Sequence, residues 1–419
     1  MSGKKRIPII KSNKIAVFGN FGSQNWGNEG TLEATLYNIR RFLGDVEIIC
    51  ICTEPQDVIS RYGISAFPAK TPQGKYLRGR NNLIIKLVRK LFFGIPRELV
   101  HWYSGLRILM TTKAMIVPGT GLLSDFGTGS LGLPYAIFKW SLLSKLCRNK
   151  LLFVSNGAGP IREGLTGWFI KSSMRMADYR SFRSEYARNY LEKVGFDSSK
   201  DPIFPDLAFS LPQRIFTLKE KAPGGGYAVG VGLMDYYGEH GIRENGQKVY
   251  ANYVTVMCNF IKWLLDRNYE VRILLGDTKH DDHVKEDVLT IMGNMGLEFN
   301  PEKIFDGSVS SVGELLSQIS DVDYVVSPRF HNIIFGLMYD KPVVSLAYHP
   351  KFSSLMEEFG IAEYCHPLDH LDLDKLIMQF KMLVREKEKL IFLGKKKRDD
   401  YRADLEKQYS YILSRKFIN

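Results

Sequence analysis

The sequence has few cysteines, and their spacing is irregular. Five of its 419 residues are cysteine, and none of them forms a CxxC pair. Disulfide frameworks and zinc knuckles depend on more regular spacing, so neither is expected, and a reducing cytoplasm is the natural compartment. No apolar run is long enough to cross a bilayer, and the first basic residues precede too short an apolar stretch for a secretory signal.

Two motifs of hydrolases are also missing, since the chain contains neither a GxSxG nucleophile elbow nor an HExxH zinc motif. The sequence closest to a metal motif is HDDH, from His280 to His283. It follows a predicted strand and opens a predicted helix, where an aspartate commonly caps the first turn. We therefore expect no metal site in this protein.

The composition is that of a soluble globular protein with a positive charge. Hydrophobic residues make up 45% and charged residues 24% of the chain, and the formal net charge is +12. Such a charge suits a nucleic-acid surface, an anionic membrane surface or an anionic substrate. A length of 419 residues exceeds that of one ordinary core, which favours two domains.

Strand-like and helix-like segments alternate throughout the chain, which predicts α/β domains with parallel sheets. The last predicted strand of the first half is PIFPDLAF, from Pro202 to Phe209. The polar stretch from Ser210 to Gly226, closed by a proline and three glycines, is the best linker. We predict two similar domains, residues 1–213 and 214–383, with a deep cleft between them and a helical tail over 384–419.

Three basic side chains follow two consecutive strands of the second half. Arg329 and His331 stand between the predicted strand DYVV and the predicted helix from Phe330 to Met338, and Lys351 follows the next strand, PVVSLAY. Because the carboxyl ends of parallel strands line the ligand crevice, the three are predicted to form part of a site. The helix dipole and the neighbouring Arg329 would favour a neutral imidazole at His331. Alternatively, Arg329 and Lys351 are solvated loop charges, and His331 is a hydrogen-bonded helix start.

Two glycine-rich loops at strand ends of the first half could bind an anion or hydroxyl groups. In GNFGSQNWGNEG, glycines let backbone N–H groups approach a ligand and asparagines add amides, so Asn25, Gly27 and Asn28 are predicted to bind substrate. This loop is neither a GK[ST] phosphate loop nor a GxGxxG fingerprint. The second loop, VPGTGLLSDFG, contributes Gly121 and one carboxylate, Asp125, which could equally cap a helix.

The segment from Asn81 to Met110 mixes apolar residues with five basic ones and contains Trp102 and Tyr103. Basic and apolar residues at helical spacing suit a helix that lies on an anionic membrane. An amphipathic helix packed against its own domain explains the same pattern. Both interpretations stay open, and the first predicts a peripheral position at the inner face of the cell membrane.

An ordered series of motifs resembles the polysaccharide pyruvyl transferase family, from about Lys14 to Phe359. The most specific element is the R-x-H of SPRFHN followed by a lysine after the next strand. Arg183, which ends the predicted strand YRSFR, matches the central arginine of the family. The remaining elements are glycine loops and short motifs: GNFGSQNWGNEG, GTGLLSD, NGAGP, FRSEYARNYLEKVG, PDLAF and YHPKFSSLMEEFG.

The resemblance implies two Rossmann-like domains in a glycosyltransferase-B-like arrangement, with the active site in the cleft. It implies that phosphoenolpyruvate donates its enolpyruvyl unit, which becomes a ketal bridging two hydroxyls of one sugar in exopolysaccharide or cell-surface polysaccharide synthesis. Arg329 and His331 then match the catalytic pair, and Arg183 and Lys351 would bind the donor's anionic groups. Asp125 would orient an acceptor hydroxyl or act as a second base. No cofactor is implied, and the acceptor is a sugar or a lipid-linked oligosaccharide.

Two other functions fit parts of the same sequence. The fold would also permit a glycosyltransferase with a nucleotide-sugar donor, although Glu357 and Glu358 lack the partner that an E-x7-E pair requires. A non-catalytic basic protein that binds polyanions would explain the charge. No aromatic-basic nucleic-acid module is present, however, so nucleic acid is not expected as a partner.

Overall fold

The computed structural model describes residues 13–72, 90–124, 129–212, 227–238, 246–296, 304–305, 307–414 and 418. Within these ranges the chain forms two six-stranded sheets, and neighbouring strands pair in parallel in both of them. Helices connect the strands and cover the sheets. The expected fold class is confirmed by this architecture.

The first half of the described chain supplies one sheet and six α-helices. Its strands are β1 (Lys14–Phe18), β2 (Glu47–Cys52), β3 (Ser65–Pro68), β4 (Ala114–Pro118), β5 (Lys150–Asn156) and β6 (Tyr179–Phe182). Its helices are α1 (Trp26–Leu43), α2 (Pro55–Tyr62), α3 (Ile95–Met110), α4 (Leu133–Leu146), α5 (Gly164–Met176) and α6 (Glu185–Lys193). The strands lie in the order β3-β2-β1-β4-β5-β6, which is the Rossmann order.

The second half supplies the other sheet and seven α-helices among the described residues. Its strands are β7 (Ala228–Leu233), β8 (Glu270–Leu275), β9 (Ile304–Phe305), β10 (Tyr324–Ser327), β11 (Val343–Ala347) and β12 (Cys365–Pro367). Its helices are α7 (Gly246–Leu265), α8 (Thr278–Asn294), α9 (Val312–Ser320), α10 (Phe330–Met338), α11 (Pro350–Glu358), α12 (Leu373–Arg385) and α13 (Lys387–Ile412). The order β12-β11-β10-β7-β8-β9 repeats the Rossmann arrangement.

The central strands are buried on both faces, as parallel sheets require. Every residue of β7 and β10 is buried, and both strands consist of small, β-branched and other apolar residues with little polar content. One continuous apolar core runs from the first sheet into the second, and a separate core lies under the opposite face of the first sheet. The shared core holds the two carboxyl edges in a fixed relation.

Two helices join the halves directly. At the start of α1, the backbone N–H of Trp26 donates to the carbonyl of Gly276 over 2.9 Å. At the other end of the chain, α13 packs against both sheets. Its Arg398 forms an ion pair with Asp340 of the second half, and its Gln408 donates to the Ser181 hydroxyl of the first over 2.7 Å.

The predicted strand from Pro202 to Phe209 is wrong. Only Ile203 pairs, in an isolated bridge with Phe182, and the end of the segment is a 3-10 turn, Leu207–Ser210. Its two prolines cannot donate to a sheet, and the Asp206 carboxylate accepts from the Ala208 N–H over 3.1 Å, which favours the turn. The short edge strands β3, β9 and β12 are additional to the prediction.

Several sequence expectations fall on residues that are not described. The predicted boundary between residues 213 and 214 lies within 213–226, outside the described residues, so the domain limits stay a prediction. The first part of the segment from Asn81 to Met110 lies outside them as well, and its remainder forms a π-helical turn, Lys90–Gly94, followed by α3. Among the described helices, none is both long and apolar enough to cross a bilayer.

Candidate active site

At the junction between β10 and α10, two nearby side chains point in different directions. The backbone N–H of Arg329 donates to the Ser327 hydroxyl over 3.0 Å, and Arg329 caps α10 in an extended conformation. His331 is the second residue of the helix. The His331 ring contacts α1 of the first half, whereas the Arg329 guanidinium contacts α8 of the second.

The imidazole of His331 lies against the backbone of Gly27 at the start of α1. A β-carbon added to Gly27 would lie 2.0 Å from His331 Nδ1, so a residue with a side chain would displace the ring. The other ring nitrogen, Nε2, is 3.8 Å from Asp206 Oδ1, which is beyond hydrogen-bond distance. The side chain is 16% exposed, but Nε2 itself is buried and has no hydrogen-bond partner among the described residues.

Burial lowers the pKa of His331 to about 4. The Asp206 carboxylate opposes this shift, and the positive charges of Arg183 and Lys351 add to it. The two cations that act on His331 thus come from other strands, whereas the sequence suggested its neighbour Arg329. The imidazole is neutral near pH 7 and can accept a proton.

Arg183 and Asp206 form an ion pair beside the histidine. Arg183 follows β6, and its Nη1 lies 3.2 Å from Asp206 Oδ2. Its guanidinium packs against the backbone of Gly157, where an added β-carbon would come within 2.6 Å of Nη2. The guanidinium carbon is also 5.2 Å from the centre of the Phe330 ring. This arginine is therefore held in place by a close-packed glycine and an aromatic ring, with one contact to a carboxylate.

Lys351, at the start of α11, points its ammonium group toward three aromatic rings. Its Nζ is 5.0 Å from the ring centre of Phe330 and 5.4 Å from those of Tyr348 and Phe352. Burial lowers the pKa of Lys351, and nearby Arg183 contributes to the lowering. Within the described part of the chain, no carboxylate forms an ion pair with this ammonium. A half-buried cation without an acidic partner is suited to binding an anionic ligand.

Arg329 contrasts with these residues because carboxylates already surround it. Its Nε donates to Asp281 Oδ2 over 2.8 Å, and its Nη2 contacts the other oxygen of the same carboxylate. A second acid, Asp277, lies 3.9 Å from Nη1. Burial opposes the charge of Arg329, yet these acids raise its pKa above the ordinary value. The position matches the predicted site, but the guanidinium faces α8.

Asn25 and Asn28 are close to the site, but Asn25 has structural partners. It caps α1, with Oδ1 accepting from the Asn28 N–H over 3.2 Å and Nδ2 donating to Asp277 over 3.1 Å. Gly121 is exposed, and an added β-carbon would meet no atom within 4 Å. Asp125 lies outside the described residues, so its predicted role stays a prediction.

The HDDH segment forms contacts of a different kind. His280 Nδ1 is 2.9 Å from Asp277 Oδ1, and His283 Nε2 is 3.2 Å from Asp235 Oδ1. No group of three potential metal ligands occurs in the ranges that the structure covers. Asp281, which follows His280 in HDDH, is instead the buried partner of Arg329. Reasoning from the sequence did not identify that role.

Asp206 is the other residue that sequence reasoning missed. It stands in PDLAF, a motif quoted for the family resemblance, but its role was not assigned there. In the structure its carboxylate faces both Arg183 and His331. The sequence indicates glycine and arginine positions at strand ends, whereas this carboxylate lies in the segment from Pro202 to Phe209, whose predicted strand is wrong.

This chain is similar to known proteins in two respects, its sequence and its fold. The family model for polysaccharide pyruvyl transferase matches residues 25–350. No curated protein matches the sequence. Solved structures with similar folds include a glycosyltransferase from Rickettsia africae ESF-5, with 14% identity, a TM-score of 0.56, and coverage of 97% of this chain and 100% of that one.

A second similar structure is Anabaena HepE in complex with UDP and glucose, with 11% identity, a TM-score of 0.58, and coverage of 96% and 99%. A third is UDP-GlcNAc 2-epimerase from Methanocaldococcus jannaschii, with 10% identity, a TM-score of 0.54, and coverage of 88% and 92%. At these identities the likeness shows the fold alone. The three structures share the two-domain, Rossmann-like arrangement of glycosyltransferase-B enzymes.

Proposed function

The chain belongs to the polysaccharide pyruvyl transferase family, and from that premise we propose that it transfers the enolpyruvyl unit of phosphoenolpyruvate to a sugar as a ketal. The observation that carries the proposal is the ammonium of Lys351, which has three aromatic neighbours and no ion-paired carboxylate among the described residues. The donor carries a carboxylate and a phosphate. A half-buried lysine without an acidic partner, next to an arginine, suits such a ligand.

In this scheme Lys351 and Arg183 bind the two anionic groups of the donor. Arg183 has one contact with Asp206, at 3.2 Å, and its remaining N–H groups can donate to a ligand. Lys351 has no competing acid, so its charge is available to the phosphate or the carboxylate. Both cations would also stabilise the negative charge that develops on the departing phosphate.

His331 is the residue that we assign to proton transfer. As the methylene carbon of the donor accepts a proton and becomes a methyl group, the oxygen of the first sugar hydroxyl bonds to the central carbon, and the neutral imidazole accepts the hydroxyl proton. The bond from the central carbon to the phosphate oxygen breaks, the second hydroxyl attacks, and its proton leaves with phosphate. Two hydroxyl protons are thereby distributed between the methyl group and phosphate.

Asp206 acts as a positioning residue in this proposal. Its Oδ1 lies 3.8 Å from His331 Nε2, close enough to favour the imidazolium that forms when the histidine accepts a proton. Its other oxygen holds Arg183 until the donor binds. The acceptor sugar would bind near the start of α1, where Gly27 leaves room for the ring of His331. Asp125 could orient an acceptor hydroxyl.

We place the reaction in the synthesis of exopolysaccharide or cell-surface polysaccharide, at the inner face of the cell membrane, without a cofactor. A glycosyltransferase with a nucleotide-sugar donor is the second candidate, because Anabaena HepE, which has a similar fold, was solved with UDP and glucose. The carboxylates around Arg329 do not favour it, because an additional phosphate there would meet two acids, Asp281 and Asp277.

The test is incubation with phosphoenolpyruvate and a panel of nitrophenyl and lipid-linked sugars, followed by mass spectrometry. The expected product is the acceptor plus one pyruvate less one water, formed together with one equivalent of phosphate. Parallel reactions contain UDP-sugars instead. Transfer of a hexose from a UDP-sugar, with no product from phosphoenolpyruvate, would overturn the proposal in favour of the second candidate.

A further inference from the structure

Helix α3 presents a row of apolar side chains to solvent. Leu99, Val100 and Tyr103 are 64%, 65% and 63% exposed. They continue a row that begins at Phe92, which is 70% exposed, in the turn before the helix. Exposed apolar residues are normal when scattered, but a contiguous row is typical of a binding surface.

The opposite side of α3 explains why the helix is oriented this way. Glu98 accepts from Lys139 Nζ over 2.8 Å and from the Tyr135 hydroxyl over 2.9 Å, and Lys139 is 1% exposed. His101 Nε2 is 3.0 Å from the carbonyl oxygen of Pro68. Turning the apolar row inward would break these contacts and leave a buried lysine without a partner, which is costly. These polar contacts, together with the buried Leu109, hold the apolar row outward.

The exposed surface extends beyond α3. Helices α3, α4 and α5 all pack on the same face of the first sheet. On α5 and in the loop before α4, Trp168, Leu165 and Leu131 are also exposed, and the rings of Trp168 and Phe138 are 5.0 Å apart. Of the eighteen large apolar side chains that are exposed among the described residues, eleven lie between positions 92 and 168. The exposed apolar residues are thus concentrated on one face of the first half.

The part of the chain that builds this face also has an excess of basic residues. Positions 90 to 178 contain eleven Lys or Arg and four Asp or Glu. Two of the four acids, Glu98 and Asp178, form ion pairs with Lys139 and Lys145. The surface therefore combines large apolar side chains with a net positive charge. That combination matches a bilayer with anionic headgroups, where apolar side chains enter the acyl boundary and cations meet phosphates.

We propose that this apolar-basic face, built by α3 to α5, binds the surface of an anionic lipid bilayer. The face is larger than the segment that the sequence suggested, because it also includes Leu165 and Trp168. These two residues follow the loop that carries Gly157. The backbone of Gly157 in turn touches Arg183 of the candidate active site. If the proposed function is correct, a lipid-linked sugar would reach the cleft directly from the bilayer.

Flotation with vesicles tests this surface without using the reaction. The full chain is mixed with phosphatidylcholine vesicles that contain or lack phosphatidylglycerol, at low and high salt, and separated on a density gradient. The wild type should float with the anionic vesicles, and high salt should reduce the floated fraction because it screens the basic residues. Leu99→Ser and Trp168→Ser should each lower the ratio of vesicle-bound to free protein by about tenfold, since each removes an apolar side chain that would be buried in the bilayer.

Phe392→Ser is the matched control, because Phe392 is an equally exposed aromatic residue, at 69%, on α13. This variant should float like the wild type, and all three variants should keep the melting temperature of the wild type. Equal recovery in the soluble fraction with and without vesicles would overturn the proposal. A second result would also overturn it: neither the wild type nor any variant floats, and the wild type is a dimer that dissociates in Leu99→Ser. The face would then bind a second copy of the chain. Failure of pyruvyl transfer alone would leave the flotation result unchanged.

Discussion

The two arginines of the candidate site differ in how completely their charge is matched. Arg329 makes two contacts with the carboxylate of Asp281, which is fully buried, and a second acid lies 3.9 Å away. Arg183 makes a single contact of 3.2 Å with Asp206, whose other oxygen faces His331. An arginine with a buried, bidentate partner mainly shapes the site, whereas one with a partial partner can bind a ligand.

The residues around each arginine differ in the same way. The His331 cluster, meaning His331, Arg183, Asp206 and Lys351, has three positive or protonatable groups and one carboxylate. The Arg329 cluster, meaning Arg329, Asp281 and Asp277, has one cation and two carboxylates. An anionic donor should therefore prefer the first, and the second should act by holding α8 against α10. The five predictions below test that division.

The largest effect is expected for His331→Gln. Glutamine keeps hydrogen bonding and approximate size but cannot transfer protons, so turnover should fall roughly 10²–10⁴-fold while the donor still binds. Steady-state kinetics gives the turnover, and a melting-temperature shift with phosphoenolpyruvate gives donor binding.

His349→Gln is the matched control. Burial also lowers the pKa of His349 to about 4, but its Nδ1 accepts from the Lys351 N–H over 3.1 Å and caps α11. That variant should keep most of its turnover. If the two variants lost turnover equally, His331 would have no special role in proton transfer.

Arg329→Ala should act mainly on stability. Removing one partner of a buried ion pair leaves Asp281 uncompensated, so the free energy of unfolding should drop by about 3–5 kcal/mol. Chemical denaturation measures this loss, and Asp281→Ala in the same background should restore part of it. A variant with wild-type stability and a much higher requirement for donor would place Arg329 in the first cluster instead.

Arg183→Ala and Lys351→Ala should act mainly on donor binding. Loss of a charge-assisted contact costs on the order of 1.5–3 kcal/mol, so each KM for phosphoenolpyruvate should rise more than tenfold. Lys397→Ala is the control, because Lys397 also lies over an aromatic ring, 4.9 Å from the centre of Tyr401, on α13. An unchanged KM in Arg183→Ala or Lys351→Ala would remove that residue from the donor site.

The division between the clusters shows where prediction from the sequence stopped. Hydrophobic patterning located the central strands, and the carboxyl-edge rule placed Arg329, His331 and Lys351 near one another. The partners of the arginines could not be predicted in the same way. Asp281 is 48 residues from Arg329, and Asp206 is 23 residues from Arg183.

Side-chain direction was the second limit. Arg329 and His331 are two residues apart, and the extended cap at Arg329 turns one side chain toward α8 and the other toward α1. That divergence depends on backbone dihedrals at the junction, which residue types alone do not determine. The same limit applies to α3, whose pattern was compatible with either side facing the protein.

Gly27→Ala should have a smaller and more specific effect. The added methyl group would overlap the His331 ring, so the ring must move and turnover should fall several-fold, on the order of 1 kcal/mol in activation free energy. Gly121→Ala is the control, because an added β-carbon there meets nothing within 4 Å. Kinetics and melting temperatures of both variants check this. Equal activity in the two variants would show that the contact between α1 and His331 does not matter.

The smallest expected effect is a shift in the pKa of the His331 imidazole. Without donor, the imidazole of His331 should titrate near pH 4 rather than near 6.5, because burial and two cations oppose its protonation. As the pH falls from 6.5 toward 4, the unfolded chain gains a proton at this position before the folded chain does, so stability should decrease over that range. Imidazole NMR signals assigned with His331→Gln provide the measurement. Addition of phosphoenolpyruvate should raise the pKa, because its negative charges offset those of Arg183 and Lys351. A donor-free pKa near 6.5 would mean that His331 is solvated and would remove the electrostatic distinction between the two clusters.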